Sequence, residues 1–378
     1  MPTIANNAKY AIWLNQLVGF GNQRIKQLLT AYGSAKAVFD LKADEIDKIN
    51  FLPEKQKAVL KNKNLDYANG VIEECIQQRI SVYCYGEEGY PDCLSVIYAP
   101  PLVLYEKGNR HFDFDKVPAI AIVGKREMTE YGRRTAFDFG KDLARSGLIV
   151  VSGMAEGCDA QAHLGALKAG KPTVAVLGTG VDIVYPKCNQ ELYEYILDYG
   201  CVLSEYPPGT GPASYHFPQR NRIISAITMG TLVVEGNLGS GSLITADHAN
   251  NQGKDVFVIP NNIYAENSRG SNQLLKEFAM IATCPSDVAE RFVDRFPEYL
   301  YQEAKKHTVP HEQYLRSLKE LTDEEKAILE HLSDKPRYID EIVRKTGLPA
   351  GKVNGLLTLL MMKDIIYTVP GNSYALKL

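Results

Sequence analysis

The stretch PAIAIVGKREMTEYGRR, residues 118–134, begins with a continuous apolar run and continues into a polar segment. The run at 118–123 has the β-rich composition of a buried strand. Gly124 then permits a tight turn, and a helical pattern follows it. A strand that passes through a glycine turn into a helix is one unit of an α/β fold.

Five more apolar runs of this kind follow along the chain, with helical patterns such as 159–169 and 189–199 between them. They lie at 148–151, 172–177, 201–204, 231–234 and 256–259. Continuous apolar strands that alternate with helices are typical of a parallel sheet covered on both faces. We therefore predict an α/β fold with a doubly wound, Rossmann-like core, whose ligand lies beyond the carboxyl ends of the strands.

Before this core, apolar residues recur at helical spacing in two pieces that are joined by GFG at 19–21. Two short helices with a Gly-x-Gly turn resemble a helix–hairpin–helix, in which backbone N–H groups approach a nucleic-acid phosphate. A plain helical hairpin without any DNA contact fits the same pattern, and both interpretations stay open. We predict an N-terminal all-α domain of the SAM or helix–hairpin–helix type.

The C-terminal segment is expected to form three helices followed by a β-hairpin, which is the pattern of a winged helix. Thr322 and Glu325 form a capping box, and the wing is expected to turn at 370–372. Only Lys352 and Lys363 supply positive charge on the expected recognition helix, so we favour protein contact or weak binding over duplex-DNA reading. The predicted domains are 1–80 (helical), 81–300 (Rossmann-like core), 301–319 (linker) and 320–378 (winged helix).

Composition narrows the functional classes. The chain has 378 residues and a net charge of −3, which argues against a globally basic nucleic-acid binder but allows a local basic groove. No apolar run is long enough to span a membrane, and the N-terminus lacks the features of a secretory signal. The seven cysteines form no CxxC pair, so we expect reduced thiols in a cytoplasmic protein, with no metal or cofactor.

The loops after the predicted strands combine glycine, hydroxyl and basic residues, which together suit a phosphate. Their glycines allow close backbone approach, and one helix start combines backbone donors with Ser and Thr hydroxyls. Several separate phosphate cradles fit an extended strand better than one small ligand. The predicted DNA- or phosphate-binding residues are Gly124, Lys125, Arg126, Ser152, Gly153, Gly178, Thr179, Gly180, Lys187, Phe217, Arg220, Asn221, Arg222, Ser240, Gly241, Ser242 and Thr245.

FPQRNRIISAI, residues 217–227, places two arginines on either side of an asparagine, directly before an apolar run. Because a guanidinium is costly to bury without an anion, we predict that Arg220 and Arg222 face phosphate. An ion pair with Glu205 or Glu235 is the alternative. Phe217 and Tyr185 lie near the predicted cradles and are candidates for base stacking, with core packing as their alternative role.

A second hypothesis is an enzyme that acts on a nucleotide or phosphoribosyl substrate. Asp159, His163 and Glu235 are then the candidates for acid–base residues. Asp159 and His163 are four residues apart, which also suits a metal, but no third ligand is near them in the sequence. We therefore expect Asp159 to N-cap its helix and His163 to be a hydrogen-bonded structural residue.

Seven segments together resemble the DNA-processing protein A family (DprA, also called Smf), over nearly the whole chain. They are IAIVGKREMTEYG, SGMAEGCDAQAHLGAL, AVLGTGVDIVYP, LSEYPPG, FPQRNRIIS, VVEGNLGSGSLITA and GSNQLL. The resemblance implies a cytoplasmic bacterial protein that binds and protects single-stranded DNA without catalysis. It also implies loading of the RecA recombinase during natural transformation, and a homodimer formed through the Rossmann-like domain. By motif match, Arg126, Lys187 and the Arg220–Arg222 group carry over as DNA-contacting candidates.

Overall fold

The computed structural model describes residues 2–300, 321–332, 336–362, 365–369 and 372–376. The chain divides into two compact units, residues 1–304 and 305–378, and each is described here by itself. The domain boundaries expected from the sequence stay a prediction, and the expected linker at 301–319 lies outside the described residues. None of the helices in these ranges is long and apolar enough to cross a membrane.

The first unit begins with six helices that surround a common apolar core. Trp13 is almost fully buried in this core and packs edge-on against Phe39, with 5.0 Å between the ring centroids. The same core continues into strands of the sheet through Tyr105, so the helical region packs directly on the α/β core. The helices are α1 (Ala8–Gln16), α2 (Asn22–Tyr32), α3 (Ala35–Asp40), α4 (Ala43–Asp47), α5 (Glu54–Leu60) and α6 (Asp66–Gln77).

Nine strands of the first unit form one sheet in the order β1-β2-β6-β5-β4-β3-β7-β8-β9. All neighbours from β6 to β9 pair parallel, and β2 pairs antiparallel with both β1 and β6. The strands are β1 (Ser81–Cys84), β2 (Val103–Gly108), β3 (Ala119–Val123), β4 (Ile149–Ser152), β5 (Thr173–Val176), β6 (Cys201–Ser204), β7 (Gly230–Val233), β8 (Asp255–Val258) and β9 (Met280–Ile281).

Helices cover both faces of this sheet, which confirms the predicted doubly wound α/β core. Separate apolar clusters fill the space on the two faces, because successive side chains of a strand point to opposite sides. The helices of this part are α7 (Asp92–Ser95), α8 (Glu130–Arg145), α9 (Cys158–Lys168), α10 (Gln190–Tyr199), α11 (His216–Ala226), α12 (Gly241–Asn251), α13 (Arg269–Glu277) and α14 (Pro285–Ala289).

The six strands expected from apolar runs are β3 to β8, and they are confirmed. The sequence analysis missed three other strands: the two edge strands β1 and β9, and β2, which lies between β1 and β6. The antiparallel pairing of β2 makes the sheet mixed. β2 follows two prolines, Pro100 and Pro101, so the sequence around it is typical of a connector. Pairing with β6 decides its conformation, with Tyr105 opposite Ser204.

The order of the strands reverses between β3 and β7. Strands β4, β5 and β6 follow on one side of β3, and β7, β8 and β9 follow on the other. The connections to helices therefore diverge at this point and leave a crevice beyond the carboxyl ends of β3 and β7. Ligands of open α/β sheets bind at such a switch point, which places the candidate site there.

The second unit contains the elements of a winged helix. The predicted capping box at its first helix is confirmed, with Thr322 and Glu325 bonding reciprocally to backbone N–H groups. The turn expected at 370–372 and the side chain of Lys363 lie partly or wholly outside the described residues. The elements are α15 (Asp323–Leu329), β10 (Arg337–Tyr338), α16 (Ile339–Thr346), α17 (Ala350–Met362), β11 (Ile366–Val369) and β12 (Ser373–Leu376).

Candidate nucleic-acid interface

A cleft of about 310 Å³ lies at the switch point, and we call it the switch-point cleft. The loop after β3 forms one wall and the start of α12, after β7, forms another. Ten of the predicted site residues line it, contributed by three elements that are distant in sequence: Gly124, Lys125, Arg126, Phe217, Arg220, Asn221, Ser240, Gly241, Ser242 and Thr245.

A smaller cleft of about 190 Å³, the side cleft, lies beside the first one. Arg126, Phe217 and Arg220 line both clefts, so these three side chains form the boundary between them. Gly153 and Tyr185 line the side cleft, where the loops after β4 and β5 meet. Together the two adjacent clefts extend across the carboxyl ends of four strands.

An aromatic pair, Phe217 and Tyr185, lines the side cleft. The rings of Phe217 and Tyr185 lie 5.3 Å apart between centroids, and the Arg126 guanidinium lies over the Phe217 ring at 5.6 Å. Tyr185 is 39% exposed and Phe217 is partly exposed, so neither ring is used up by core packing. Flat rings and a guanidinium plane at a surface are suited to stack against planar groups.

The N-terminus of α12 provides backbone donors to the switch-point cleft. Ser240 precedes the helix but makes no side-chain cap hydrogen bond to it. Its hydroxyl instead lies 2.9 Å from the hydroxyl of Ser242. The first N–H groups of a helix have no partner within the helix, and its dipole favours an anion at this end. The uncapped helix start is therefore available to an anionic group, while the Ser242 hydroxyl also donates to the Glu235 carbonyl at 3.4 Å.

Arg220 is buried in the floor of both clefts, with 4% of its surface exposed. Its Nη1 donates to the carbonyl oxygens of Gly153, at 2.9 Å, and of Val176. Gly153 is the first residue after β4, and Val176 is the last residue of β5. The guanidinium therefore holds together the starts of the loops that follow these two strands. An added Cβ at Gly153 would collide with this guanidinium, so a larger residue there would have to displace it.

Asp159 is the buried counter-charge of Arg220. Its Oδ2 accepts from the Gly153 N–H at 3.2 Å. Burial raises the pKa of Asp159, and the charge of Arg220 opposes this shift. Burial lowers the pKa of Arg220 to about 10, with Asp159 opposing and Arg126 adding to the shift, so the guanidinium stays charged at neutral pH. Asp159 was expected to N-cap α9, but Gly157 precedes that helix and Asp159 lies in its first turn.

His163 is fully buried behind this pair. The Thr173 hydroxyl donates to the Val150 carbonyl at 2.7 Å and therefore accepts from His163 Nδ1, also at 2.7 Å. Nε2 is then unprotonated, and it has no hydrogen-bond partner among the residues that the structure describes. Burial, with a contribution from the charge of Arg220, lowers the pKa of His163 to about 3, so the ring is neutral.

Arg222 lies away from both clefts, although it is only two residues from Arg220. Its Nη2 donates to Glu205 Oε2 at 2.6 Å, and both side chains are about nine-tenths buried. This is the ion pair that the sequence analysis kept as the alternative to phosphate. A helix turns by about 200° over two residues, so α11 points the two arginines to opposite sides.

The remaining predicted residues lie around the clefts but do not line them. Ser152 is buried, and its hydroxyl donates to the Ile122 carbonyl at 2.6 Å. Thr179 is buried and donates to the Ile183 carbonyl at 2.9 Å, while Gly178 packs against the Phe217 ring. Lys187 is exposed and follows Pro186, which lines the side cleft. A DNA contact of any of these residues stays a prediction.

Two residues that shape the site were not among the predicted phosphate-binding residues, although Glu235 was considered as an ion-pair partner and as an acid–base residue. Gly157 has a φ of +83°, and a Cβ there would collide with the carbonyl of Arg126. Glu235 is fully buried, and its Oε2 accepts from the backbone N–H of Thr129 at 3.0 Å, at the start of α8. Both residues position the loop that carries Arg126. Gly157 could have been found from the sequence as the last residue of SGMAEG, because a positive φ favours glycine.

Models of known families match two parts of the chain. The model described as DNA recombination-mediator protein A matches residues 81–293, and the DprA winged helix domain matches residues 312–372. DNA processing protein DprA from Streptococcus pneumoniae is 41% identical over 57% of this chain and 75% of its own length. Protein Smf from Synechocystis is 31% identical over 97% of this chain and 99% of its own length.

Two solved structures agree with these matches. The X-ray structure of DprA from S. pneumoniae has a TM-score of 0.65 and 35% identity, and covers 74% of this chain and 96% of that one. The structure of DNA processing protein A from Helicobacter pylori, described for its unique single-stranded DNA binding mode, has a TM-score of 0.52 and 28% identity, over 57% of this chain and 97% of that one. The resemblance noted in the sequence is therefore confirmed, and the chain belongs to the DNA recombination-mediator protein A family, which includes DprA and Smf.

Proposed function

We propose that this protein binds single-stranded DNA across the switch-point and side clefts and acts in recombination without catalysing a reaction itself. The observation that carries the proposal is Arg126, an exposed cation stacked on the Phe217 ring beside the uncapped start of α12. This combination offers donors to a phosphate and a flat surface to a base within one continuous site.

A single strand explains the arrangement better than a small ligand does. The two clefts are open and adjacent, and the groups suited to phosphate are spread over the loops after β3, β5 and β7. A chain of phosphates meets such separated groups in succession. Bases of a single strand are free to stack on Phe217 and Tyr185, whereas bases in a duplex are already stacked on one another.

The relative from H. pylori supports the same ligand, since its structure is described for single-stranded DNA binding. Protection of the strand and loading of the RecA recombinase during natural transformation are the finer parts of the proposal. Homodimerisation through the Rossmann-like core and a cytoplasmic location belong to it as well. These parts rest on the family resemblance.

An enzyme that acts on nucleotides is the competing function. Its candidate residues are engaged in structural contacts: Asp159 faces Arg220, His163 bonds to Thr173, and Glu235 caps the start of α8. Among the described residues no group of three His, Cys, Asp or Glu side chains is placed to hold a metal ion. Release of base or phosphate from nucleotides during incubation with the pure protein would favour the enzyme.

The direct test is fluorescence anisotropy with a labelled single-stranded oligonucleotide, a duplex of the same sequence and a salt series. We expect Arg126→Ala to weaken single-strand binding about tenfold, because it removes a phosphate donor and one of the flat groups on which a base can stack. Arg145→Ala is the matched control, since Arg145 is an exposed arginine at the other end of α8.

The melting temperature of both variants should equal that of the wild type, because both side chains are at the surface. Equal affinity of Arg126→Ala and Arg145→Ala for the single strand would move the DNA away from these clefts. Preference for the duplex would contradict the proposed ligand.

A further inference from the structure

The largest cleft in the described part of the chain, about 1310 Å³, also lies in the first unit, and we call it the aromatic cleft. The helical region lines it through α1 and α2, and the α/β core lines it through α11, α12 and the segment 93–99. Pockets that hold one small molecule have volumes of about 300–1,000 Å³. A cleft of this size therefore suits an extended ligand better than a single nucleotide.

The aromatic cleft adjoins the switch-point cleft. Pro218 lines both of them. The segment 214–219, which leads into α11, places Ser214 at the switch-point cleft and Gln219 at the aromatic cleft. A polymer that is bound in the first cleft can therefore continue into the second along the surface of this segment.

Three rings stand on the same segment or beside it. Tyr206 lines the aromatic cleft and stacks on His216, with 3.9 Å between the ring centroids. Tyr215 is 64% exposed and packs edge-on against the same His216 ring at 4.5 Å. Aromatic surface thus extends from the neighbourhood of the switch-point cleft to the aromatic cleft, which is an arrangement suited to stacked bases.

Tyr98 is the most exposed ring at the aromatic cleft, with 76% of its surface accessible. The residue before it is fixed, because Ile97 is buried and its carbonyl accepts from Lys26 Nζ of α2 at 2.9 Å. The backbone beside Tyr98 is therefore held while its ring faces solvent. Such a ring stacks on any base, since every base has a flat face, so this contact requires no particular base.

The glycine turn GFG, residues 19–21, lines the aromatic cleft through Phe20 and Gly21. Gly21 precedes α2 in an extended conformation, and it has no side chain that could cap the helix. A Cβ added at Gly21 would meet no atom of the described residues within 4 Å, so the backbone is open to close approach. The first N–H groups of a helix lack partners within it, and its dipole favours an anion at this end.

The charge of the aromatic cleft is compatible with a polyanion. Three charged side chains line it, and two of them, Glu205 and Arg222, form a buried ion pair with each other at 2.6 Å. Lys254 therefore leaves the lining with net positive charge, and burial lowers the pKa of His248, so that ring is neutral at pH 7. Amide side chains that can donate to phosphate oxygens line the cleft as well, among them Asn15, Gln16, Gln219 and Asn251.

We propose that a single strand bound in the switch-point cleft continues past Pro218 into the aromatic cleft. Its bases stack on Tyr98 there, and its phosphates meet Lys254 and the start of α2. This inference rests on the proposed function, because it extends the path of the same strand. It makes the N-terminal helical region part of the DNA-binding surface, through the glycine turn whose DNA contact the sequence left open.

The test measures fluorescence anisotropy with labelled oligothymidines of about 4 to about 20 nucleotides. Short strands occupy the switch-point and side clefts, and long strands also reach the aromatic cleft. We expect Tyr98→Ala to weaken the binding of the longest strands about tenfold and to leave the shortest strands unaffected. Tyr199→Ala is the matched control, because Tyr199 is a tyrosine with 52% exposure that lines none of the three clefts.

A second variant tests the phosphate contact. Lys254→Gln should lower the slope of log affinity against log salt by about 0.7 for long strands only, which corresponds to one phosphate of a single strand. Lys116→Gln is its control, because Lys116 is an exposed lysine that lines none of the clefts. Melting temperatures of all four variants are measured in parallel, and we expect no change in Tyr98→Ala because that ring is at the surface.

The result that overturns the inference is equal affinity of Tyr98→Ala and Tyr199→Ala for strands of every length. The aromatic cleft would then belong to another occupant, such as a segment of a partner protein. If binding depends on Arg126 at every length and on Tyr98 at none, this inference fails and the proposed function stands. If binding depends on Tyr98 but not on Arg126, the strand lies in the aromatic cleft and the proposed site at the switch point fails. An absence of DNA binding contradicts both.

Discussion

In the floor of the switch-point cleft, Arg220 is buried and donates to the carbonyls of two loops, whereas on its rim Arg126 is exposed and lies on an aromatic ring. Both residues are arginines in segments that resemble one family, and both were predicted to contact phosphate. The floor residue has its donors occupied by the protein itself, while the rim residue offers its donors outward. A basic residue in a binding motif therefore serves the fold or the ligand according to its depth.

The largest expected effect is a loss of stability on substitution of Arg220, the arginine in the floor of the cleft. Arg220→Ala leaves Asp159 as an uncompensated buried charge and frees two loop carbonyls, so we expect the free energy of unfolding to fall by about 3–5 kcal/mol. Urea denaturation followed by circular dichroism measures this, with Arg145→Ala expected to change stability by less than about 0.5 kcal/mol.

Adding Asp159→Asn to Arg220→Ala sharpens the same test. The double variant should lose clearly less stability than the sum of the two single variants, because each single variant leaves its partner unpaired. If Arg220→Ala keeps the wild-type stability but binds DNA more weakly, Arg220 acts on the ligand as Arg126 does. That result would contradict the distinction between a structural and a ligand-binding arginine.

A smaller loss of stability is expected at the second buried pair. Arg222→Leu should lower the free energy of unfolding by about 1.5–3 kcal/mol, the range for a hydrogen bond to a charged group. We expect a smaller loss than for Arg220→Ala because Asn22 Nδ2 still donates to the remaining Glu205 carboxylate, at 3.0 Å. Denaturation of Arg222→Leu, Glu205→Gln and the double variant gives the coupling energy, and additive losses would show that the pair does not act as a unit.

The floor also predicts a dependence of stability on pH. The pKa of His163 is lowered from 6.5, the value of an unperturbed histidine as in the unfolded chain, to about 3 in the folded protein. Between these two pH values the unfolded chain binds a proton that the folded chain does not. Its contribution is complete above pH 6.5 and is lost as the pH falls toward 3, by at most about 1.4 kcal/mol per pH unit.

Between pH 6.5 and 4 we expect the free energy of unfolding of His163→Gln to fall less steeply with decreasing pH than that of the wild type. Urea denaturation midpoints at each pH measure this. The raised pKa of Asp159 acts with the opposite sign, but it is present in both proteins and cancels in the difference. Identical slopes for the two proteins would show that His163 does not carry this dependence.

The smallest effect is expected at the edge of the rim. Lys187 is exposed beside the side cleft, so Lys187→Ala should leave stability unchanged and weaken single-strand binding about two- to fivefold. The slope of log affinity against log salt should fall by about 0.7–1, which corresponds to one phosphate contact. An unchanged slope would mean that this lysine contacts no phosphate. The DNA-binding surface would then extend only as far as Tyr185.

Most of the core could be predicted from the sequence, because buried parallel strands carry apolar runs that are visible without any partner. The strand β2 could not, since its sequence resembles a connector and its strand conformation depends on pairing with β1 and β6. Ten residues of the switch-point cleft were recognisable for a similar reason. Glycines and basic residues at strand ends have a meaning that does not depend on distant contacts.

The sequence by itself determined the α/β class, the capping box at Thr322 and the family, because each depends on local pattern or on several segments together. Only the tertiary structure decided which arginines are buried and which carboxylate each of them meets. Burial and partnership are set by residues that meet in space from distant parts of the chain, as Arg220 meets the carbonyls of Gly153 and Val176. That information is absent from any single stretch of sequence.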